Sequence, residues 1–325
     1  MVEKTRWGII GTGDIAKKFA AGLSVLSDAE LVAVGSRAQR TADAFADSFR
    51  VAKRHNSYEG LAQDPDVDVV YVSTPHSLHK DNTMMCLRAG KAVLCEKPFA
   101  INAEEASEMI QLARDRRLFL MEAMWTRFFP LMVKLREMIA SNAIGEVRML
   151  MADFGYRSED QNFWVFNPTY GGGGLLDVGI YPLSFAHQIF GTPNQITSVS
   201  HLQSGVDEQS AAILGYEGGR IAMICSAIRT ETPQVAYLLG TKGRIHIHPP
   251  WWKPQTLTIS VNGKADEVMQ IPFQGNGYNY EAAEVARCLL QGKTESDIMP
   301  LDETLSIMRT MDKIRAQWKL KYPME

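Results

Sequence analysis

The chain reads Trp7-Gly8-Ile9-Ile10-Gly11-Thr12-Gly13-Asp14-Ile15-Ala16 close to its start. A short β-branched run leads into a glycine-rich turn, and amphipathic helical spacing begins directly after it. Gly11 permits a tight turn, Gly13 lets the backbone approach a pyrophosphate, and Ala16 lets the helix pack closely on the strand. Free amides at the start of the helix, aided by the helix dipole, favour phosphate groups. The stretch therefore predicts a dinucleotide site.

The sequence on either side of this turn has the pattern of a parallel sheet covered by helices. Strands are predicted at residues 7–10, 31–35, 67–73, 92–96 and 118–121, and helices at 15–26, 41–49, 79–89 and 103–116. A glycine turn without a ligand is the alternative interpretation of the first motif, and its place in this alternating series weighs against that. We predict a doubly wound α/β domain over residues 1–121.

After residue 121 the pattern changes to short alternating strands joined by turns. Strands are predicted at residues 147–154, 195–201, 209–216, 220–228, 235–240, 244–248 and 256–261, and helices at 131–139, 280–291 and 301–318. The turns at 217–219, 241–243 and 262–263 contain glycine or asparagine, which tolerate the positive φ of hairpin turns. We predict a second domain over residues 122–325, built on an open antiparallel sheet with helices on one face.

Composition excludes several classes of protein. The 325 residues are 46% hydrophobic and 22% charged, which is ordinary for two globular domains. The net charge of -3 provides no extended positive field for nucleic acid, and no apolar run reaches the roughly 18 residues of a membrane span. The four cysteines are scattered, so buried reduced thiols are expected. We expect a cytoplasmic protein that binds neither nucleic acid nor a membrane.

The end of the second predicted strand indicates which dinucleotide is bound. NAD-preferring domains usually place Asp or Glu there, where the carboxylate accepts from ribose hydroxyls. This chain has Gly35-Ser36-Arg37, and Arg40 follows. A hydroxyl and a guanidinium can hold a 2′-phosphate, which a carboxylate would repel. NADP(H) is therefore predicted over NAD(H), and solvated arginines at a helix start are the alternative.

The fourth predicted strand runs into Glu96-Lys97-Pro98, at the sheet end where such folds bind ligands. Here the chain resembles the glucose-fructose oxidoreductase and inositol dehydrogenase (Gfo/Idh/MocA) family, in which a Glu-Lys-Pro motif carries the catalytic lysine. The resemblance covers nearly the whole length. It also includes Ser73-Thr74-Pro75-His76-Ser77-Leu78-His79 and Gly171-Gly172-Gly173-Gly174-Leu175-Leu176-Asp177-Val178-Gly179-Ile180-Tyr181. It implies a Rossmann domain, a second open-sheet domain and an NAD(P)-dependent oxidoreductase.

The last motif departs from the commoner family pattern, which has histidine where this chain has Tyr181. Together with Glu122-Ala123-Met124-Trp125-Thr126-Arg127-Phe128-Phe129, this tyrosine is similar to the dimeric trans-dihydrodiol dehydrogenases and related NADP-linked D-xylose dehydrogenases. The implied substrate is a trans-dihydrodiol, an aldose or a related carbonyl sugar. An NAD(P)-linked inositol or other sugar dehydrogenase is the alternative enzyme. A non-catalytic NADP-sensing regulator is the alternative of another class, and intact Lys97, Asp177 and Tyr181 argue against it.

The catalytic prediction also follows from the chemistry. Oxidation of a secondary alcohol sends hydride to the nicotinamide and the hydroxyl proton to a base. A phenol with a pKa of about 10 is a poor base at neutral pH, but a neighbouring ammonium stabilises its phenolate. We therefore predict that Lys97 and Tyr181 handle the proton and that Asp177 orients the substrate hydroxyl or Lys97. A core tyrosine and a helix-capping aspartate are the alternatives, and Pro182 indicates that a helix begins near Tyr181.

Further site residues are predicted from their places at the sheet end and in the motifs. Cofactor contacts are predicted for Gly11, Thr12, Gly13, Asp14, Ile15, Ser36, Arg37, Arg40, Thr74, Pro75, His76, His79, Glu96, Lys97 and Trp125. Substrate contacts are predicted for Lys97, Trp125, Arg127, Phe154, Trp164, Asp177 and Tyr181, with Phe128, Phe166, Trp251, Trp252 and Phe273 as further aromatic candidates. A flat aromatic wall suits a sugar ring or an aromatic diol.

Two further expectations concern metal and assembly. His76 and His79 have a spacing that suits a metal pair, but the neighbouring sequence supplies no convincing further ligands, so no metal is predicted. An open sheet with an exposed face commonly finds a partner. We expect a homodimer or higher homo-oligomer formed through the second domain, which also binds the small polyhydroxylated substrate.

Overall fold

The computed structural model describes residues 4–160 and 162–325. Contacts divide the chain into two compact units. The first comprises Met1–Trp125 and Gln274–Thr304, and the second comprises Thr126–Phe273 and Leu305–Glu325. The sequence predicted a continuous second domain after residue 121, so the return of Gln274–Thr304 to the first unit is the main difference in domain organisation.

The first unit is built on a six-stranded sheet in which every neighbouring pair of strands is parallel, in the order β3-β2-β1-β4-β5-β6. The strands are β1 (Thr5–Ile10), β2 (Ala29–Gly35), β3 (Lys53–His55), β4 (Val69–Val72), β5 (Ala92–Glu96) and β6 (Leu120–Ala123). The helices between them are α1 (Asp14–Leu23), α2 (Gln39–Phe49), α3 (Tyr58–Ala62), α4 (His79–Arg88) and α5 (Ala103–Arg116). The predicted doubly wound fold is confirmed, with the strand order reversing between β1 and β4, where ligands bind in such sheets.

The central strands β4 and β5 are buried along their whole length, as expected of strands covered on both faces. Their continuous apolar runs made them easy to predict. In contrast, β3 and α3 were missed because they contain three and five residues, which is too short for a periodic pattern to show.

The second part of the first unit contributes α8 (Tyr278–Leu290), which packs against α1. Gly22 makes this close packing possible, because a Cβ at that position would lie 2.9 Å from the Cβ of Tyr278. The side chain of Asn276 donates to the carbonyl oxygen of Lys18 at 2.7 Å, across 258 positions of sequence. Contacts between positions so far apart leave no local periodic signal.

The second unit contains an eight-stranded sheet in the order β14-β13-β12-β11-β7-β10-β9-β8. Its strands are β7 (Val147–Gly155), β8 (Gln195–Gln203), β9 (Val206–Tyr216), β10 (Arg220–Ala227), β11 (Ala236–Gly240), β12 (Gly243–Ile247), β13 (Thr256–Val261) and β14 (Glu267–Gln270). All pairs are antiparallel except β7 with β10, which is parallel. The open sheet is confirmed, with this one parallel pair as a refinement.

The helices of the chain's later part are α6 (Pro130–Ala140), α7 (Ile180–Phe190) and α9 (Leu301–Trp318). A π-helical turn, Leu175–Gly179, leads directly into α7, which packs on β7 and β10. Pro182 is the third residue of α7 and has no N–H to donate to the carbonyl of Val178, as a continuous α-helix would require. The α-helix therefore starts next to Tyr181, as expected, and the widened π turn precedes it.

The cysteines are unpaired, and Cys86, Cys95 and Cys288 are buried while Cys225 is half-buried. Burial raises the pKa of Cys86 to about 12, which keeps its thiol protonated and unreactive. Within residues 4–160 and 162–325, no helix combines the length and apolar character needed to cross a membrane.

Candidate active site

The glycine turn after β1 has the shape of a phosphate cradle. Gly11 has a φ of +100°, and a Cβ there would lie 2.9 Å from the carbonyl oxygen of Ser73. A Cβ at Gly13 would meet no atom within 4 Å, so the space beside the turn is open. Gly13 precedes α1 without a side-chain cap, while Asp14 is exposed and pairs with Lys17. The first amides of α1 therefore lie beside open space, as binding of a phosphate group at a helix start requires.

The residues predicted to hold a 2′-phosphate follow β2. Ser36 is buried, with its Oγ 2.6 Å from Oγ1 of Thr41, and Arg37 and Arg40 are exposed. Burial raises the pKa of Tyr58, and the positive charge of Arg37 acts in the opposite direction. Tyr58 lies at the start of α3, the short helix that the sequence pattern did not reveal.

His79 has a structural role that corrects the prediction of a cofactor contact. The ring is fully buried, with Nδ1 2.7 Å from the carbonyl oxygen of Pro98 and Nε2 2.8 Å from that of Thr74. Burial lowers the pKa of His79 to about 4, so the ring is neutral at physiological pH. Asn82, from the same helix, donates to Oγ1 of Thr74, and His76 packs edge-on against His79. His79 thus joins the loop after β4 to the loop after β5.

Lys97 directly follows β5 and precedes a cis peptide bond to Pro98. The neighbouring Glu96 is buried and accepts from the backbone N–H of Lys97 at 3.1 Å and from the hydroxyl of Tyr71 on β4. These bonds hold the buried Glu96 carboxylate against Tyr71 and the backbone of Lys97, and its contact with the cofactor stays a prediction.

The carboxyl ends of β1, β4 and β5 are adjacent in the sheet. They carry the glycine turn, the segment Thr74–Pro75 and Lys97 respectively, so the structure brings most of the predicted cofactor residues to one edge of the first unit. Trp125 is nearly buried and stacks face to face on Tyr278, with ring centroids 4.3 Å apart.

In the second unit, Asp177 lies in the π turn and Tyr181 is the second residue of α7. Oδ2 of Asp177 accepts a hydrogen bond from the hydroxyl of Tyr156 at 2.8 Å. Burial, followed by the Asp177 carboxylate, raises the pKa of Tyr156, so its hydroxyl stays a donor. Sequence reasoning missed Tyr156, whose one signal is its place just after β7.

Tyr181 belongs to an aromatic cluster with Phe154 and Trp252. Phe154 stacks on Trp252 with ring centroids 4.7 Å apart and meets Tyr181 edge-to-face at 5.2 Å. The indole N–H of Trp252 donates to Oε1 of Gln234, which fixes its ring plane. Trp164 lies in a short turn with its ring tilted against Phe163. Phe154, a predicted substrate contact, thus packs directly on Trp252, one of the further aromatic candidates.

Arg127 departs from its predicted place on the substrate wall. Its side chain is 2% exposed and donates through Nε and Nη2 to Oγ of Ser184, at 3.0 and 2.8 Å. Nη2 also donates to the Ser184 carbonyl oxygen at 2.9 Å. Because Ser184 lies one turn after Tyr181 on α7, Arg127 anchors the helix that presents the tyrosine.

The reversed order of a parallel sheet, the open glycine turn and the lysine after β5 define an NAD(P)-binding oxidoreductase. The chain belongs to the Gfo/Idh/MocA family. Residues 5–124 match the family model described as oxidoreductase family, NAD-binding Rossmann fold, and residues 132–246 match the GFO/IDH/MocA C-terminal domain.

Similar proteins cover the chain almost completely. Trans-1,2-dihydrobenzene-1,2-diol dehydrogenase from Xenopus tropicalis is 40% identical over 332 residues, covering 98% of this chain and 99% of the relative. The Homo sapiens protein of that name is 37% identical over 336 residues, covering 98% of each chain. An aldose-aldose oxidoreductase from Caulobacter crescentus, complexed with glycerol, has a TM-score of 0.89 at 25% identity over 98% of each chain. A 3-ketoreductase from Actinomadura kijaniata, in complex with NADP and TDP-benzene, has a TM-score of 0.87 at 26% identity, covering 97% of this chain and 98% of that one.

Proposed function

We propose that this oxidoreductase uses NADP(H) to interconvert a secondary alcohol and a carbonyl in a trans-dihydrodiol or a sugar. The observation that carries the proposal is Lys97 at the carboxyl end of β5, on the sheet edge that also holds the glycine turn. The named activity of the dihydrodiol dehydrogenases and the aldose-aldose oxidoreductase supports the substrate class. Bound nicotinamide supplies the hydride acceptor or donor.

In this proposal the protein's own residues handle the proton and the orientation of the substrate. Tyr181 takes the hydroxyl proton in oxidation and returns it in reduction, and the ammonium of Lys97 stabilises the phenolate form of Tyr181. Asp177, held by the hydroxyl of Tyr156, accepts from a substrate hydroxyl. Phe154 and Trp252 offer a flat apolar face to the substrate ring.

A substrate panel tests the activity. Nicotinamide absorbance is followed with NADP+ or NADPH and with trans-dihydrodiols, aldoses, inositols and their carbonyl counterparts. We expect turnover with a dihydrodiol or an aldose. Lys97→Met should lose this turnover while still binding NADPH. Lys80→Met is the control and should keep full activity, because Lys80 pairs with Glu108 at the surface. Tight NADPH binding without turnover of any compound would support the sensing regulator instead.

The choice of cofactor has its own test. We assign the 2′-phosphate to Ser36, Arg37 and Arg40, because no acid ends β2 and both guanidinium groups are exposed. Arg37→Ala should weaken NADPH binding by roughly tenfold or more, since a hydrogen bond to a charged group contributes about 1.5–3 kcal/mol, and should leave NADH binding nearly unchanged. Exposed Arg88 provides the matched control, Arg88→Ala. Equal losses for both cofactors would show that Arg37 does not bind the 2′-phosphate.

We also propose a homodimer formed through the outward face of the eight-stranded sheet. The backbone register aligns Ile213 with Met223 and Met223 with Met151, across β9, β10 and β7. Ile213 and Met151 are exposed, and Val199 on β8 is also exposed. A continuous apolar strip across adjacent strands is rarely left in water, and a second copy of the same face is complementary to it.

A further inference from the structure

Glu281 is a buried carboxyl group that the proposed mechanism does not use. It lies in the first turn of α8, is fully buried, and neither of its oxygens has a hydrogen-bond partner among the residues that the structure describes. An ionised carboxylate in such a place is costly, because neither water nor a donor offsets the loss of its hydration. The surroundings therefore favour the neutral acid.

The charge of Glu96 acts on Glu281. Unlike Glu281, Glu96 has hydrogen-bond donors around its carboxyl group. It accepts from the hydroxyl of Tyr71 and from the backbone N–H of Lys97. Hydrogen bonds donated to a carboxylate stabilise its charged form. Of these two buried carboxyl groups, Glu96 is the one equipped to hold a negative charge.

The groups that face Glu281 strengthen this asymmetry. Burial and then the charge of Glu96 raise the pKa of Glu281. On β4, Tyr71 has its pKa raised by burial, by both carboxyl groups and by Tyr278 of α8, so it stays protonated as a donor to Glu96. From α1, Phe19 stacks on Tyr71, whereas the charged residues of that helix, Asp14, Lys17 and Lys18, are exposed.

We propose that Glu281 remains protonated in the working protein while Glu96 carries the charge, which limits the buried pair next to Lys97 to one negative charge. A second buried carboxylate would offset more of the positive charge that Lys97 provides, and so would weaken its stabilisation of a phenolate. Glu281 is thus a positioning residue that acts through Glu96. The protonation state of Glu281 does not depend on the proposed function, whereas its effect on catalysis rests on that function.

Infrared spectroscopy tests the protonation state without any activity. Spectra recorded well above the pKa of about 7 that burial gives Asp207 should contain the C=O stretching band of a protonated carboxylic acid. Glu281→Gln should remove that band. Glu284→Gln should leave it, because Glu284 is bound by Arg287 and Ser296 and its pKa is lowered. A wild-type protein without the band, or a band that survives in Glu281→Gln, would overturn the proposal.

The pH dependence of unfolding provides a second readout. Because the pKa of Glu281 is raised, the folded state binds its proton more tightly than the unfolded state, so this stabilisation is lost as pH rises. The free energy of unfolding of the wild type should therefore fall relative to that of Glu281→Gln between acid and alkaline pH. A constant difference between the two proteins would contradict the raised pKa.

The effect on catalysis is read from the pH profile of kcat. Glu281→Gln replaces the protonated acid with a neutral side chain of nearly the same shape. The kcat of this variant at neutral pH should therefore stay within about twofold of the wild-type value, and KM should not change. The alkaline limb of the profile should move to higher pH. A folded Glu281→Gln protein that loses tenfold or more in kcat at neutral pH would show that the carboxyl proton itself is used, which contradicts a positioning role.

Discussion

Tyr156 donates a hydrogen bond to Asp177, the residue that we propose accepts from a substrate hydroxyl. Tyr156→Phe removes the donor while keeping the ring. We expect kcat/KM to fall by roughly tenfold, because a hydrogen bond to a charged group contributes about 1.5–3 kcal/mol, with the fold retained. Exposed Tyr170 offers a control, Tyr170→Phe, which should retain full activity. Unchanged kinetics in Tyr156→Phe would remove Tyr156 from the site.

At the scale of single residues, the motifs predicted where side chains lie better than what those side chains contact. Lys97 and Tyr181 were identified from their motifs and stand at a strand exit and a helix start. His79 and Arg127 were also predicted as site residues from motifs, yet both are buried. His79 contacts backbone carbonyl oxygens, and Arg127 binds Ser184. Their partners are distant in sequence or lie on another element. The sequence alone therefore does not show that these polar side chains are buried.

Helix α7 presents Tyr181, and its attachment to Arg127 should contribute to stability. Ser184→Ala removes the hydroxyl that accepts two hydrogen bonds from the buried Arg127 guanidinium. We expect the free energy of unfolding to fall by about 1–3 kcal/mol. Ser200→Ala, on a half-buried serine of β8, should change it by much less. Equal stability of Ser184→Ala and the wild type in chemical denaturation would contradict the anchoring role.

The link between β9 and the π turn should make stability depend on pH. Oδ2 of Asp207 accepts from the backbone N–H of Leu175 at 2.7 Å, and burial raises the pKa of Asp207 to about 7. The folded state therefore binds this proton more tightly than the unfolded state, whose aspartates titrate near pH 4, so stability should fall as pH rises from about 4 to above 7.

Asp207→Asn keeps an acceptor for Leu175 and removes the titration. Its free energy of unfolding should vary less with pH over that range than the wild-type value does. Asp266→Asn, at an exposed aspartate, should retain the wild-type slope. Parallel pH curves for the wild type and Asp207→Asn would show that the buried carboxyl group does not titrate there.

At the scale of elements, long periodic segments were predictable, and short or non-local ones were not. Strand β5 and helix α5 have the predicted bounds, because a continuous apolar run and a regular helical stripe are local signals. Strand β14 was missed because its four residues are too few to show an alternating pattern. The parallel pairing of β7 with β10 depends on which strands meet after a long connection, and no local pattern records that choice.

For the whole molecule, the proposed dimer depends on the outward face of the second unit's sheet. Ile213→Lys places a charge in the apolar strip, so it should convert a dimer to a monomer in sedimentation at micromolar concentration. Leu290→Lys changes an exposed leucine of the first unit and should leave the dimer intact. A wild-type protein that sediments as a monomer would remove this assembly.

We propose that Lys97 and Tyr181 act together in one proton transfer. This proposal is tested by measuring single-turnover hydride transfer for Lys97→Met, Tyr181→Phe and the double variant at saturating cofactor. Each single change should slow the step by about a hundredfold or more, and the double variant should be no slower than the slower single variant, because the proposed mechanism assigns both groups to the same proton transfer. Wild-type turnover in either single variant, or losses that multiply in the double variant, would contradict the claim.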